Sequence, residues 1–465
     1  MITQHFTQLD TREVHFRRAG RGPAVVALHP SPMSSSALLP LMSSLSDTHC
    51  VLAPDTPGYG LSPPDPDNPN SASEFALSLK AWVDAVGLTR FALYGSATGA
   101  QIALEFAKRY PERIERLVLD NAAHFEDAAR TMLLERYFPD LSPRASGAHL
   151  ADLWHFNREI STFFPWFAQS AEARLPRELP PLSALHATAI DTMRAGAGYD
   201  RAYRAAVSNE HGSRYRDLCV PTTLIRWLSS LLIDQIDALI AYGLPACVRV
   251  ADAAPDERFA AIRHALEGDG TEPPPAVASE HRFQRVRDGR LHVRMTTRGS
   301  QRPHIRLHAP GESMAADVFL ADDRPCLRVD LPLHGESAGD FVATREGLVG
   351  PVAEVARELG FIDATVGGAC SSLVDALVAE LPGASATPCA GFEAIHEIDL
   401  SPSWDGTHLL RAWRVARERG LFAPVFGAQR RPIVDSSALD LRTIEQRCLA
   451  AVQAGAHYAA IMRAV

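Results

Sequence analysis

The sequence predicts an α/β protein: a mainly parallel sheet flanked by helices and covered by a helical lid, present twice, with the second copy incomplete. Three observations predict this fold. Short apolar runs alternate with helix-like stretches through residues 1–120, as in successive βαβ units. A helical segment rich in aromatic residues then interrupts the alternation. Landmarks of the first half recur in the same order after residue 280, as expected of an internal repeat.

The first copy is predicted to cover residues 1–268. Its strands are predicted at 5–10, 13–19, 24–29, 50–53, 90–94, 114–119, 221–227 and 246–250. Its helices are predicted around 34–46, 71–86 and 100–109, from about 233, and at 257–267. Because strands alternate with helices, the sheet is expected to be mainly parallel. Residues 125–212 are helical in pattern and carry many aromatic side chains, which indicates a lid inserted between two strands.

A linker and a shorter second copy follow. Residues 269–280 are acidic and rich in glycine and proline, which is typical of a linker. In residues 281–465, the segment 305–310 repeats 26–30, and 330–337 repeats 55–62. The lid, from about residue 399, repeats a Gly-x-His-Leu motif followed by tryptophan. The two motifs contribute the predicted lid residues His149, Trp154, His408 and Trp413.

The second copy has no sequence counterpart of the last two strands of the first. Its sheet would then end at an exposed edge, which proteins normally cover. We therefore expect this edge to pack on the first copy or on a second chain, as a close contact between the domains or as a homo-oligomer.

Composition excludes several classes of partner and site. A net charge of -9 gives no electrostatic reason to expect nucleic acid or an anionic membrane. The seven cysteines form no C-x-x-C pair, which favours reduced thiols over a zinc site or a disulfide framework. We expect no metal and no cofactor. The first residues lack a signal peptide, and no apolar run approaches the roughly 18 residues of a membrane span. A cytoplasmic protein is expected.

The most informative motif is Gly95-Ser96-Ala97-Thr98-Gly99, between a predicted strand and a predicted helix. This is the frame of a nucleophile elbow, in which the central side chain projects from a tight turn. Alanine occupies the nucleophile position, and its methyl group cannot attack a carbonyl. The usual covalent route to hydrolysis is therefore closed at this position.

These landmarks resemble the α/β-hydrolase fold, once completely and once in truncated form. The segment 28–30, Leu-His-Pro, is similar to the family's strand end before the oxyanion loop, and 55–62 is similar to its next turn. The elbow 95–100 resembles that of a bacterial subgroup with G-S-H-T-G-A, with alanine in place of histidine. The subgroup's lid motif, D-G-[ST]-H-L before tryptophan, is present at 405–409.

The resemblance implies an acid after the strand 221–227 and a histidine after the strand 246–250. The sequence supplies neither: residues 228–231 are Leu-Ser-Ser-Leu, and residues 251–257 contain no histidine. Asp234 is the next carboxylate, and we expect it within the following helix. The positions of the nucleophile, the acid and the histidine therefore all lack the usual residue types, which indicates a degenerate triad.

Other residues near the elbow remain candidates. His29 is the best placed, although a histidine that hydrogen-bonds its own loop is the favoured interpretation, and His124 is interpreted as a surface-loop residue. Ser96 is expected to point away from the cleft. The residues predicted to form the oxyanion loop or pocket are Ser31, Met33, Ser96, Thr98 and Trp227. The lid histidines and tryptophans are interpreted as capping and packing groups.

The elbow of the second copy has two possible registers. Alignment backward from the helix places Gly368 or Ala369 at the nucleophile position, whereas alignment on the glycines places Cys370 there. A helix N-terminus lowers the pKa of a thiol. Without an acid or histidine of its own, however, this copy favours Cys370 as a buried, unreactive thiol.

Two functions are consistent with these residues. The first is a binding or interaction protein for a small apolar ligand that has lost triad hydrolysis. The alternative is an atypical hydrolase, or a non-hydrolytic enzyme of proton-transfer, lyase or cyclase type. A closed apolar pocket lined by His29 or His124 would favour the enzyme, whereas a pocket filled by Met33 and Trp227 would favour the binding role. An engineered Ala97 is a third explanation, against which the missing acid and histidine argue.

Overall fold

The computed structural model describes residues 1–268, 270–316, 324–389, 391–392, 398–422 and 439–465. The chain divides into two compact units. The first unit contains Met1–Asp140, His155–Pro180 and Ala187–Ser279. The second unit contains Leu141–Trp154, Pro181–His186 and Glu280–Val465. This partition differs from the sequence-based one, because two stretches of the predicted lid group with the second unit and the described part of the predicted linker, up to Ser279, groups with the first.

The first unit is built on an eight-stranded sheet with the order β1-β2-β4-β3-β5-β6-β7-β8. The two pairs β1–β2 and β2–β4 are antiparallel, and the remaining pairs from β4 to β8 are parallel. The predicted fold class is confirmed. The strands are β1 Ile2–Gln8, β2 Glu13–Ala19, β3 Ala24–Leu28, β4 Cys50–Pro54, β5 Phe91–Ser96, β6 Ile114–Asp120, β7 Thr222–Trp227 and β8 Val248–Ala253.

Helices cover both faces of this sheet, which explains why the inner strands are apolar throughout. Every residue of β3 and β4 is buried. Helix α2 begins with a capping box, in which Ser71 and Glu74 each bond the other's backbone N–H. The helices through residue 266 are α1 Leu39–Leu45, α2 Ala72–Ala85, α3 Thr98–Arg109, α4 Asp127–Arg136, α5 Ala148–Glu159, α6 Leu182–Ala195, α7 Arg201–Asn209, α8 Ile233–Tyr242 and α9 Arg258–Leu266.

Strand β8 extends further along the chain than predicted. It pairs with β7 in continuous register from Thr222↔Val248 to Trp227↔Ala253. Most of its side chains are partly or fully exposed, so its sequence carries little of the apolar pattern on which the prediction depended. Its pairing with β7, rather than its own composition, sets where it ends.

The second unit contains a seven-stranded sheet with the order β13-β10-β12-β11-β14-β15, with β9 also paired to β10. From β9 onward this order repeats that of the first six strands of the first sheet. No strand follows β15 among the described residues of this unit. The strands are β9 His281–Val286, β10 Gly289–Thr296, β11 His304–Leu307, β12 Cys326–Val329, β13 Ala338–Gly339, β14 Thr365–Gly368 and β15 Ser385–Ala386, and the helices are α10 Arg345–Glu358, α11 Ser371–Glu380, α12 Thr407–Phe422, α13 Leu441–Ala454 and α14 Tyr458–Ala464.

A buried histidine–aspartate pair ties β2 to the turn after β4 in the first unit. His15 Nδ1 lies 2.7 Å from Asp55 Oδ2, and the His15 backbone N–H donates to Ser62 Oγ at 3.0 Å. Gly60 has φ +55, and a Cβ there would lie 2.1 Å from Asp55 Oδ2. Burial opposes ionisation of Asp55, but the charge and hydrogen bond of His15 hold its pKa well below its usual range.

The second unit contains the same arrangement. His292 Nδ1 lies 2.7 Å from Asp330 Oδ2, and the His292 N–H donates to Ser337 Oγ at 3.0 Å. A Cβ at Gly335, which has φ +51, would lie 2.3 Å from Asp330 Oδ2. In both units, the same buried histidine–aspartate pair therefore joins the antiparallel edge of the sheet to its parallel part.

Candidate functional site

A cavity of about 410 Å³ opens in the first unit at the carboxyl ends of the parallel strands. Its walls come from the loop after β3, the β5–α3 turn, the ends of β6 and β7, and the start of α9. Helices α4 and α7 contribute Leu133, Tyr203 and Val207. Open α/β sheets bind ligands in this location, and the volume is in the range of small-molecule sites.

The β5–α3 turn has the backbone of a nucleophile elbow. Ala97 has φ 48 and ψ −109, a conformation that L-residues rarely adopt. A Cβ on Gly95 would lie 2.2 Å from Gly99 O, and one on Gly99 would lie 2.4 Å from Leu28 O. The two glycines are therefore required sterically. The turn presents a methyl group to the cavity where the elbow geometry would present a nucleophile.

A buried ion pair lies behind this turn. Asp120, the last residue of β6, is fully buried, and its carbonyl accepts the Ala97 N–H at 2.9 Å. Arg258, the first residue of α9, donates from Nε and Nη2 to Asp120 Oδ2 at 2.9 and 2.5 Å. Tyr94 donates its hydroxyl to the same oxygen at 2.8 Å. The Arg258 guanidinium also lies 4.5 Å from the centre of the Trp227 ring.

This network cannot perform the proton transfers of a triad. Burial disfavours the charge of Arg258, but the coulombic and hydrogen-bond contributions of Asp120 outweigh it and raise the arginine pKa above its usual value. A guanidinium does not act as a base at neutral pH. Burial, followed by the charge of Asp120, also raises the pKa of Tyr94 well above its usual value. The Arg258–Asp120–Tyr94 cluster thus contains a permanent cation, its counter-ion and a neutral phenol.

Sequence reasoning missed both members of this pair. The resemblance of the sequence to the α/β-hydrolase fold implies an acid after β7 and a histidine after β8. In the structure, the buried acid is Asp120 at the end of β6, and the charged partner after β8 is Arg258. The available signal was Asp120 at the end of the apolar run 117–119, directly before Asn121. Nothing in the sequence alone pairs it with Arg258, which lies 138 residues further on.

The predicted pocket residues surround the cavity. Ser31, Met33, Ser96, Ala97, Thr98 and Trp227 all line it. Ser96, the last residue of β5, is among the lining residues, as predicted for a pocket residue. Three buried polar atoms of lining residues have no hydrogen-bond partner among the described residues: Ser31 Oγ, Thr98 Oγ1 and Trp227 Nε1. The cavity is therefore open rather than filled by Met33 and Trp227.

Neither candidate histidine is a lining residue of this cavity. His29 is buried, its Nε2 accepts the Thr56 N–H at 2.9 Å, and its Nδ1 lies 3.0 Å from Pro30 O. Burial lowers the pKa of His29. His124 is also buried, not a surface residue as predicted, because its Nδ1 accepts the Gly212 N–H at 3.1 Å. Both rings serve local hydrogen bonds.

Cys370 lies in the second unit, at the cap before α11, where Ala97 stands before α3 in the first. Its φ of −100 is extended, so the turn lacks the strained backbone of the first elbow. The thiol is buried and lies 3.2 Å from Ser372 Oγ. The thiol therefore does not project from a tight, positive-φ turn, as the nucleophile of an elbow does.

The predicted lid residues form a reciprocal arrangement within the second unit. The edge of His408 packs on the Trp154 ring at 5.1 Å between centres, and Trp154 Nε1 donates to Trp404 O at 3.0 Å. Gly406, with φ +73, leaves space for the indole, because a Cβ there would lie 2.4 Å from Trp154 Cδ1.

The other half mirrors these contacts. His149 packs on Trp413 at 4.6 Å, Trp413 Nε1 donates to Ala145 O at 3.2 Å, and a Cβ on Gly147 would lie 2.6 Å from Trp413 Cδ1. Burial lowers the pKa of both histidines to about 4. The neutral rings accept backbone N–H groups of Arg144 and Ser403, each at 3.2 Å. These four residues are thus packing groups.

The described residues contain no group of three or more histidine, cysteine, aspartate or glutamate side chains placed to hold a metal ion. None of their helices has both the length and the apolar composition needed to cross a bilayer.

Comparison with known proteins shows similarity to the alpha/beta hydrolase fold. Residues 23–188 match the model of the alpha/beta hydrolase fold family. A cis-3-alkyl-4-alkyloxetan-2-one decarboxylase from Shewanella oneidensis is 34% identical over 129 residues, which is 26% of this chain and 39% of the relative. A 2-hydroxy-6-oxo-6-phenylhexa-2,4-dienoate hydrolase from Comamonas testosteroni is 31% identical over 110 residues, 23% of this chain and 38% of the relative.

A solved hydrolase structure from Pseudomonas aeruginosa aligns with 57% of this chain and 98% of its own, at 19% identity and a TM-score of 0.43. The chain spans about two fifths of the length of the two curated relatives. The matched segment contains β3 to β6, the elbow and part of the cavity wall. Together with the sheet described above, this match shows that the first unit has the α/β-hydrolase fold.

Proposed function

We propose that the first unit binds a small, mainly apolar molecule in its cavity and does not hydrolyse it. One observation carries this proposal: the strained elbow holds Ala97, and the groups behind it are the Arg258–Asp120 ion pair. Triad hydrolysis needs a nucleophile and a base that accepts its proton. A methyl group and a guanidinium supply neither.

The cavity itself supports a binding role. Its wall combines apolar side chains such as Leu133 and Val207 with aromatic rings of Phe125, Tyr203 and Trp227. Small-molecule sites are typically apolar cavities with a few directed polar groups. The unpartnered Thr98 Oγ1 and Trp227 Nε1 are polar groups of this kind.

A second candidate is a non-hydrolytic enzyme at the same cavity. The elbow keeps a backbone that costs roughly 1–3 kcal/mol, although its nucleophile is absent. One similar protein carries the name of a decarboxylase rather than a hydrolase. Positioning and electrostatic stabilisation accelerate reactions without a covalent step, and the Arg258–Asp120 pair would supply the field.

We also propose that the chain arose by tandem duplication, with copies at 1–268 and 281–465. The repeated strand order, the repeated His–Asp pair and the paired lid motifs support this origin. His408 and Trp413 of the second copy pack against Trp154 and His149 of the first-copy lid motif.

The binding proposal predicts saturable uptake of an uncharged aromatic probe. Prodan, a naphthalene that carries a propionyl ketone, gains fluorescence in apolar surroundings and is titrated with the protein. Ala206→Trp and Ala37→Trp each place an indole in the cavity, because both alanines line it. We expect wild-type protein to bind the probe and either folded variant to bind it at least about tenfold more weakly. Equal binding by wild type and both variants would refute a cavity site.

A further inference from the structure

The cavity wall contains an acidic side chain without a counter-ion. Glu210 follows α7, lines the cavity and is 5% exposed. Its backbone is held in place, because the Phe125 N–H donates to Glu210 O at 3.0 Å. No hydrogen bond or ion pair reaches its carboxyl group from the described stretches of the chain. A buried polar group of this kind requires an explanation, since most such groups have partners.

The cations of the cavity are engaged elsewhere. Arg258 is paired with Asp120. Arg177 donates to the carbonyl oxygens of Ser161 and Ile160 at 3.2 and 3.4 Å. Burial is the one cause that shifts the pKa of Glu210, with no contribution from Arg177 or Arg258. An ionised Glu210 would therefore be a buried charge without a pairing cation among the described residues, a state that proteins avoid by protonation. In agreement, burial raises the pKa of Glu210 to about 8.

Three phenols, those of Tyr137, Tyr203 and Tyr215, interact electrostatically with Glu210. Burial raises the pKa of Tyr137 to about 12 and the pKa values of the other two above their usual range. All three stay neutral while Glu210 titrates, so they do not supply a charge that changes with pH in the same interval.

The unpartnered groups of the cavity are thus hydrogen-bond donors at neutral pH. The indole N–H of Trp227 can only donate, the hydroxyl of Thr98 can donate, and a protonated Glu210 adds a carboxyl O–H. Resting on the proposed binding function, we propose that Glu210 donates a hydrogen bond to an oxygen of an uncharged ligand. This contact selects apolar molecules that carry a carbonyl or ether oxygen over hydrocarbons of the same shape, which would leave the donor unpaired.

The test uses prodan with Glu210→Gln and Glu210→Leu. Glutamine keeps a neutral donor, so we expect affinity within about threefold of wild type; leucine keeps the volume but not the donor, so we expect a loss of about tenfold. Prodan emission shifts to the red when its ketone accepts a hydrogen bond. The bound probe should therefore emit further to the blue in Glu210→Leu than in wild type.

The pH profile gives a second readout that does not depend on the leucine variant being stable. A deprotonated Glu210 cannot donate, so wild-type affinity should be full below pH 8 and fall as the pH rises through about 8. Glu210→Gln should show no such fall.

The outcomes separate this inference from the binding function. If Ala206→Trp and Ala37→Trp bind prodan as wild type does, the cavity is not the site and the binding function fails. If those variants lose binding while folded Glu210→Leu keeps wild-type affinity and emission, only the role of Glu210 is overturned. A wild-type affinity that does not change between pH 6 and pH 10 would overturn it equally.

Discussion

Ala97 retains the backbone of a nucleophile turn without the nucleophile. Its positive φ, the two glycines beside it and the hydrogen bond from its N–H to Asp120 are all present. Behind it, Arg258 holds Asp120 in a pair that is buried on the aspartate side. At the scale of single residues, the turn thus keeps its strained backbone, and a fixed ion pair lies behind it.

Breaking the Arg258–Asp120 pair on one side should be strongly destabilising. Arg258→Met leaves Asp120 with only the Tyr94 hydroxyl, and an uncompensated buried carboxylate costs about 3 kcal/mol or more. The double variant Arg258→Met, Asp120→Leu removes both charges and should recover most of that loss. Equilibrium unfolding in urea, followed by tryptophan fluorescence, measures both.

Arg357→Met is the matched control for removal of an arginine. It breaks the exposed pair with Glu380 and should cost less than about 1 kcal/mol. A single Arg258→Met variant as stable as this control, or a double variant no more stable than the single, would contradict the assignment of a buried ion pair.

At the scale of elements, the lid motifs depend on two glycines that receive tryptophan rings. Gly406 has φ +73, and its Cα approaches Trp154 so closely that a Cβ would lie 2.4 Å from the ring. Gly147 has φ +80 and receives Trp413 in the same way. The reciprocal pattern explains why both copies of the sequence motif contain glycine, histidine and tryptophan at matching distances.

Gly406→Ala should therefore be much more costly than an ordinary glycine substitution. Collision with the Trp154 ring and left-handed strain together should lower the unfolding free energy by roughly 2–4 kcal/mol. Gly360→Ala is the control, because Gly360 has φ +79 and nothing within 4 Å of a new Cβ, so only about 1 kcal/mol of strain applies. Equal losses in urea unfolding would show that the tryptophan contact is unimportant.

At the scale of the whole molecule, local patterns predicted most of the fold. The elbow could be predicted because strand, turn and helix lie within residues 90–109, and β3 and β4 because they are apolar throughout. The edge strand β8 was placed less well, since most of its side chains are partly or fully exposed.

Contacts distant in sequence could not be predicted in the same way. The Arg258–Asp120 pair spans 138 residues, and the Trp154–Trp404 hydrogen bond spans 250. Glu210 follows a helix in an ordinary polar context, and only its burial in the cavity wall distinguishes it. The pairing and burial of such residues depend on tertiary structure. The spacing of residues along the sequence does not predict them.

We propose above that the cavity holds an uncharged ligand without hydrolysing it. The most direct test adds p-nitrophenyl butyrate to prodan-loaded protein and records probe release and nitrophenolate release together. We expect the ester to displace prodan from wild type and from Ala97→Ser. Neither protein should release nitrophenolate faster than Ala206→Trp does, because the serine restores a hydroxyl but no base that accepts its proton. Nitrophenolate release by wild type that scales with protein concentration and is lost in Ala206→Trp would contradict the claim.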